Sequence, residues 1–316
     1  MTKNKYEMHK QLKLRGDFFR LVMPKASTGY FKFGRKCLEI LYKGKKPKKY
    51  NCQEVFIGEN KELRVCVYTR KIRSGQKSPI IIWIHGGGYG LGIPEMDFSY
   101  VKDFLDCSDC VVVAPDYTLS YNSPYPKALN ECYETLKWAK EKALELGGNP
   151  DCIFVGGDSA GGGLTVALCL LARDKGEVKV CFQMPIYPMI DDRETATNVN
   201  NTAPCWDSVS NDEGWKIYLQ DLYRSENTPY YAVPARCEDY SNMPETVTYI
   251  GDLDLFLDET QTMISKLQKA GIKANIMVLE GAYHGFDIVA PKSEVAIKAR
   301  AFLKEKFINA VKEYNK

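Results

Sequence analysis

Histidine is scarce in this sequence, with only three copies among 316 residues. Zinc and most other transition metals need several histidine or cysteine ligands held close together. The three histidines are instead spread over the whole chain, and the cysteines show no repeated spacing. The sequence therefore predicts no metal site.

The chain also lacks a large net charge and a long apolar run. Its 43 Lys and Arg nearly balance its 40 Asp and Glu, so no overall charge is expected to draw the protein to nucleic acid or to an anionic membrane. The densest basic stretch, residues 43–49, contains no aromatic residue and is interpreted as a solvated connector. No window reaches the length of a membrane span, and the first ten residues lack the apolar core of a signal peptide.

The eleven cysteines are an odd number in a chain large enough to fold without disulfides. Cys107 and Cys110 have the spacing of a redox motif, but Cys110 leads into an apolar run, so we interpret both as structural. Together these features predict a cytoplasmic protein.

Short apolar runs alternate with longer stretches of helical periodicity along most of the chain, which is typical of a mostly parallel sheet flanked by helices. Eight strands are predicted near residues 53–57, 63–69, 79–84, 110–114, 152–155, 178–184, 246–250 and 275–279, the first two as a hairpin. Helices are predicted at 127–146, 161–173, 257–270 and 294–311. The fold class is therefore α/β.

Two stretches fall outside this alternation, residues 1–50 and the aromatic-rich residues 191–240. A long insertion of this kind covers a site or forms an oligomer contact. We expect both stretches to form a cap over a catalytic domain made of residues 51–190 and 241–316. A homodimer contact is the alternative.

The run from Gly156 to Gly163 lies between a predicted strand and a predicted helix, and it contains Ser159. Gly157 and Gly161 stand two residues to either side of the serine, leaving space for a strained turn that exposes its hydroxyl. A glycine-rich phosphate loop is the alternative, but neither common phosphate-loop pattern fits. Ser159 is therefore the predicted nucleophile, at the start of a helix.

A serine hydroxyl needs a base to accept its proton, and histidine is the usual one. His9 lies in a charged segment and His85 in a glycine-rich turn, whereas His284 follows the last predicted strand. His284 is therefore the predicted base. In this class of fold the acid lies between the serine and the histidine in the chain. Residues 251–259 offer Asp252, Asp254 and Asp258, and sequence reasoning alone does not choose among them.

The developing oxyanion needs backbone N–H donors, and an apolar strand runs directly into three glycines, Gly86 to Gly88. We expect the N–H groups of Gly87 and Gly88, with that of Ala160, to form the oxyanion hole. A merely flexible turn is the alternative for these glycines.

These pieces together resemble the hormone-sensitive-lipase branch of the α/β hydrolases, over approximately residues 79–286. The matching segments are His85-Gly-Gly-Gly88, Gly157-Asp-Ser-Ala-Gly-Gly162, Asp254 with Asp258 and Glu259, and His284-Gly-Phe286. The resemblance implies that Asp254 is the acid and that His85, with Gly86, is structural. Leu255 departs from the branch, which usually has proline there.

The resemblance implies a serine carboxylesterase that acts through an acyl-enzyme on a small-molecule ester of short or medium acyl chain, such as acetyl, without any cofactor. An amidase or peptidase with the same three residues is the first alternative. A non-catalytic ligand-binding protein of the same fold is the second.

Overall fold

The computed structural model describes residues 7–75 and 77–316, and within them eight strands form one sheet. The strands are β1 Tyr50–Ile57, β2 Leu63–Arg70, β3 Ser78–Ile84, β4 Val111–Pro115, β5 Gly148–Asp158, β6 Phe182–Ile186, β7 Glu245–Gly251 and β8 Ala274–Leu279. Their order is β1-β2-β4-β3-β5-β6-β7-β8. β2 pairs antiparallel with β1 and β4, and the remaining pairs are parallel. The predicted fold class and opening hairpin are confirmed.

The helices are α1 Lys10–Val22, α2 Thr28–Tyr42, α3 Phe98–Cys107, α4 Lys127–Glu141, α5 Ala160–Lys175, α6 Ser208–Leu219, α7 Leu257–Lys269, α8 Phe286–Val289 and α9 Glu294–Tyr314. Of these, α3, α4, α5, α7 and α9 pack against strands, as the helices of a parallel sheet do. All seven residues of β3 are buried, which explains why the central strands read as unbroken apolar runs. None of the helices in the described residues is long and apolar enough to cross a membrane.

Three predicted boundaries are wrong by four residues or more. One is the start of β5, which was predicted at residue 152 and lies at Gly148. The helix predicted to reach residue 146 ends at Glu141, because the chain must turn at Gly147, which has a φ of +70°, before it enters β5. The strand predicted from residue 178 begins at Phe182. α5 ends at Gly176, which has a left-handed conformation. Residues 177–181 then return the chain to the position where β6 pairs with β5.

The two stretches that lack the α/β alternation contain helices that pack against one another. The N–H of Ala26, just before α2, donates to Ser210 Oγ in α6 at 3.2 Å. The buried ring of Phe31 in α2 stacks on Trp206, with 6.5 Å between the ring centroids. Ile217 of α6 joins the same apolar cluster. The N-terminal helices and the insertion are thus in direct contact.

Candidate active site

Ser159 occupies the sharp turn between β5 and α5. Its φ of +55° and ψ of −120° lie in a region that residues with a Cβ rarely adopt. The flanking glycines permit this turn: a Cβ on Gly157 would lie 2.3 Å from the Ile84 carbonyl oxygen, and one on Gly161 would lie 2.1 Å from the same oxygen. The structure therefore contains the strained strand-turn-helix geometry predicted around Ser159.

The side chains of Ser159, His284 and Asp254 form one hydrogen-bonded chain. His284 Nε2 lies 2.8 Å from Ser159 Oγ, and His284 Nδ1 lies 2.8 Å from Asp254 Oδ2. All three residues are buried. The rings of Tyr187 and Phe256 stand edge-on to the imidazole, with centroids 4.8 and 5.1 Å away. The imidazole is thus held between an acceptor for Nδ1–H and a hydroxyl that can donate to Nε2.

The structure distinguishes the three aspartates among which the sequence did not choose, because only one of them contacts His284. Asp254 reaches His284, and its other oxygen, Oδ1, accepts the N–H of Phe256 at 3.0 Å. Asp252 Oδ1 instead accepts the N–H of Gly281 at 2.7 Å. Asp258 Oδ2 accepts the N–H of Thr197 at 2.9 Å, and so fastens the start of the insertion to α7.

Three backbone N–H groups remain available beside the serine. Within residues 7–75 and 77–316, the N–H groups of Gly87, Gly88 and Ala160 have no hydrogen-bond acceptor. Ala160 is the first residue of α5, where the N–H groups of a helix are unpaired and the helix dipole favours negative charge. Gly87 and Gly88 have φ values of +113° and +58°. These donors can receive an oxyanion formed at the serine.

Trp206 belongs to the insertion, and its indole ring lies over Gly88. A Cβ added to Gly88 would lie 2.1 Å from the Trp206 ring. Sequence reasoning placed Trp206 among the aromatic residues of the insertion but did not predict its contact with Gly88, because no periodic pattern relates Trp206 to the glycine turn.

His85 lies outside the hydrogen-bonded chain of Ser159, His284 and Asp254. Its ring stacks on Tyr117, with centroids 4.2 Å apart, and its Nδ1 lies 2.9 Å from the Gly86 carbonyl oxygen. Burial lowers the pKa of His85 to about 4, so the ring is neutral near pH 7. The geometry fits a residue that shapes the glycine turn. Gly86 contributes to the same packing, since a Cβ there would lie 2.7 Å from Asp158 Oδ2.

A buried pair of carboxyl groups lies behind the serine turn, and sequence reasoning missed it. The side chain of Asp158, the residue before Ser159, interacts with the side chain of Asp97. Burial, and then the neighbouring Asp97 carboxyl, raises the pKa of Asp158 well above its ordinary value. Asp97 Oδ2 also accepts the indole N–H of Trp83 at 3.0 Å. The raised pKa of each group favours a proton shared between the two carboxyl groups.

A second buried network holds the segment after His284. The Asp287 carboxylate accepts hydrogen bonds from Tyr187 on Oδ1 and from Tyr100, Tyr249 and Arg300 Nε on Oδ2, at 2.6 to 2.9 Å. Burial raises the pKa of each of the three tyrosines well above its ordinary value, so their hydroxyls stay protonated and donate. Sequence reasoning did not predict this network, because the four partners of Asp287 come from four different segments of the chain.

The arrangement is suited to nucleophilic chemistry on a carbonyl. A hydroxyl, an imidazole with a carboxylate behind it and unpaired N–H groups lie together at one end of the parallel strands, where sites of α/β folds collect. Within the described residues, no group of three or more His, Cys, Asp or Glu side chains is placed to hold a metal ion.

Comparisons with known proteins agree with this geometry. A family model described as the α/β hydrolase fold matches residues 81–288. An arylesterase of Saccharolobus solfataricus is 28% identical over 79% of this chain and 81% of its own length. The carboxylesterase NlhH of Mycobacterium tuberculosis is 30% identical over 69% of this chain and 70% of its own length. Among solved structures, a bacterial heroin esterase superposes with a TM-score of 0.86 at 26% identity, over 96% of this chain and 98% of its own.

Proposed function

Because the chain belongs to the hormone-sensitive-lipase-like branch of the α/β hydrolase family, we propose that it is a serine carboxylesterase that works through an acyl-enzyme. The observation that carries the proposal is the unbroken chain of contacts from Ser159 Oγ through His284 to Asp254. The names of the similar proteins, arylesterase, carboxylesterase and heroin esterase, support ester hydrolysis as the reaction class.

In the proposed first half-reaction, Ser159 Oγ attacks the ester carbonyl carbon while His284 Nε2 accepts the hydroxyl proton. Asp254 accepts from Nδ1–H, which holds the imidazole in the correct tautomer and stabilises the imidazolium. The N–H groups of Gly87, Gly88 and Ala160 donate to the oxyanion, each being worth about 10²- to 10³-fold in rate.

Collapse of this tetrahedral intermediate breaks the bond to the leaving alcohol, and His284 returns the proton to the alcohol oxygen. Water then attacks the acyl-enzyme by the same route, releasing the acid and restoring Ser159. Apart from water, every reacting group in these two half-reactions belongs to the protein or the ester, so the proposed mechanism uses no cofactor.

We propose an ester with a short or medium acyl chain as the substrate. The bulk beside the proposed reacting groups supports this choice: Trp206 lies over Gly88, and Tyr187 and Phe256 pack against the imidazole. We further propose that residues 1–50 and 191–240 act as the cap, since Phe31 and Trp206 join them beside the glycine turn. The cytoplasmic location stays a prediction.

The test is hydrolysis of a p-nitrophenyl ester series, from acetate to long chains, by the wild type and Ser159→Ala. We expect turnover of short esters by the wild type and a fall of about 10⁴-fold or more in kcat for the variant. Asp254→Asn should lower kcat by about 10³- to 10⁴-fold, because the histidine loses its tautomer control. Asp258→Asn is the matched control and should retain kcat, since its carboxylate contacts only the insertion in this region.

Retained activity in Ser159→Ala would rule out the proposed nucleophile. Absence of ester turnover in the wild type, with cleavage of anilides instead, would favour the amidase alternative. Ligand binding without any turnover would favour the non-catalytic one.

A further inference from the structure

The two N-terminal helices expose apolar side chains on their outer faces. In α1 these are Leu14, Phe18 and Leu21, which are 83%, 59% and 85% exposed, and in α2 they are Phe33, Ile40 and Leu41, which are 70%, 74% and 52% exposed. We call these six residues the outer apolar face. Large exposed apolar groups are normally scattered singly on a protein surface, so six on two consecutive helices call for a partner.

The spacing shows that the exposure is systematic. Leu14, Phe18 and Leu21 stand at i, i+4 and i+7, which places them on one stripe of α1. The buried residues of the same helix, Leu12 and Gly16, lie on the opposite side. In α2, Phe33 and Ile40 are seven residues apart, and the buried Phe31 faces away from them. Each helix therefore has one apolar stripe against the protein and a second one directed outward.

Basic residues surround these outward stripes. Residues 10–49 contain 13 of the chain's 43 Lys and Arg but only two of its 40 Asp and Glu. The remainder of the chain is accordingly acidic, and the small net charge of the whole conceals this separation. Lys10, Lys13, Arg20 and Lys36 on the two helices form no ion pair with any part of the chain that the structure describes. Their charge is therefore available to an external partner.

We propose that the outer apolar face docks onto an anionic lipid surface. Helices with an apolar stripe, flanking Lys and Arg and low overall hydrophobicity lie in the plane of a membrane interface, and anionic headgroups attract the basic residues. α1 has 13 residues and is about 20 Å long, so it lies along the surface and does not span the roughly 30 Å of hydrocarbon. A second copy of the chain would meet the same concentration of positive charge, which disfavours it as the occupant.

The inner faces of the same helices connect this surface to the proposed active site. Gly16 of α1 packs against Tyr283, the residue before His284, where a Cβ would lie 2.8 Å from the ring. Phe31 of α2 packs against Gly90 and Trp206, beside the glycine turn. Docking through the outer apolar face would bring the carboxyl ends of the parallel strands, where Ser159 lies, toward the lipid. The docking itself depends on these surface features and not on ester hydrolysis.

The experiment is co-sedimentation of the full chain with vesicles of phosphatidylcholine alone or with about one third phosphatidylglycerol. We expect at least about tenfold stronger partitioning onto the phosphatidylglycerol vesicles, weakened by raised salt. The triple variant Leu14→Ser, Phe18→Ser and Leu21→Ser should reduce partitioning at least about tenfold. The matched control is the double variant Ile72→Ser and Ile297→Ser. These side chains are 89% and 57% exposed and lie outside the two N-terminal helices, so the control should bind vesicles like the wild type.

The thermal unfolding midpoint of each variant should equal that of the wild type, because every replaced side chain is exposed. This measurement checks that the fold is retained. Equal partitioning onto both vesicle types, or no partitioning, would overturn the proposal. So would a dimer in sedimentation velocity that the triple variant abolishes, since a second copy would then be the occupant. Because the readout is binding, this result is independent of whether Ser159→Ala loses ester hydrolysis.

Discussion

At the scale of single residues, Asp158 makes the stability of the protein depend on pH. Its pKa is raised in the folded state, so between the unfolded and the folded pKa the folded protein binds the extra proton. The free energy of unfolding should therefore fall as pH rises through this window, by at most about 1.4 kcal/mol per pH unit for one proton. Below the unfolded pKa, near 3.9, this contribution is fully present.

Asp158→Asn imitates the protonated carboxyl, because an amide can donate to Asp97 without titrating. We expect urea unfolding at pH 5, 7 and 9 to give a flatter pH profile for this variant than for the wild type. Asp109→Asn is the control, since hydrogen bonds from Ser74 and Arg73 lower the pKa of Asp109. The stability that Asp109 contributes therefore changes only at acid pH, below the range measured here. A wild-type profile that stays parallel to that of Asp158→Asn would refute a shared proton.

Residue types indicated side chains that the structure brings together, but they did not choose among neighbouring aspartates. The glycines around Ser159 and the position of His284 pointed to the contacts that the structure contains. The choice of Asp254 over Asp252 and Asp258 depends on where the chain turns after β7, which only the resemblance indicated. The Asp97 contact could not be predicted, since it joins two carboxyl groups 61 positions apart that no local pattern relates.

At the scale of elements, α8 and its preceding turn depend on the buried Asp287 network. Removing this carboxylate would leave Arg300 and three tyrosine hydroxyls without their shared acceptor in the interior. We expect Asp287→Ala to lower the free energy of unfolding by about 3–5 kcal/mol, measured by urea denaturation. Asp103→Asn changes a more exposed contact of the same arginine, at 3.2 Å, and should cost under about 1 kcal/mol. Equal losses in the two variants would contradict the anchoring role of Asp287.

Sequence patterns predicted the strands of the sheet well. They predicted poorly the helices that lie outside the alternation of strands and helices. Unbroken apolar runs identify buried parallel strands such as β3, because both faces of the strand are covered. The patterns did not resolve α1, α2, α3 and α6. α1 and α2 carry apolar residues on two opposite faces, which removes the single-sided periodicity by which amphipathic helices are identified.

At the scale of the whole molecule, Phe31 joins the N-terminal helices to the insertion, and its neighbour Phe33 provides a matched comparison. Phe31 is fully buried against Trp206, whereas Phe33 is 70% exposed two residues later. Phe31→Ala should lower the free energy of unfolding by about 3–5 kcal/mol, and Phe33→Ala should leave it unchanged when no lipid is present.

Loosening this junction should also affect turnover, because Trp206 covers Gly88. We expect Phe31→Ala to raise KM for short p-nitrophenyl esters more than it lowers kcat, since Ser159, His284 and Asp254 keep their contacts with one another. Hydrogen exchange should quicken in α2 and α6 together if the two segments form one cap. Faster exchange in α2 alone would show that the insertion keeps its place without the N-terminal helices, and residues 1–50 would then not belong to the cap.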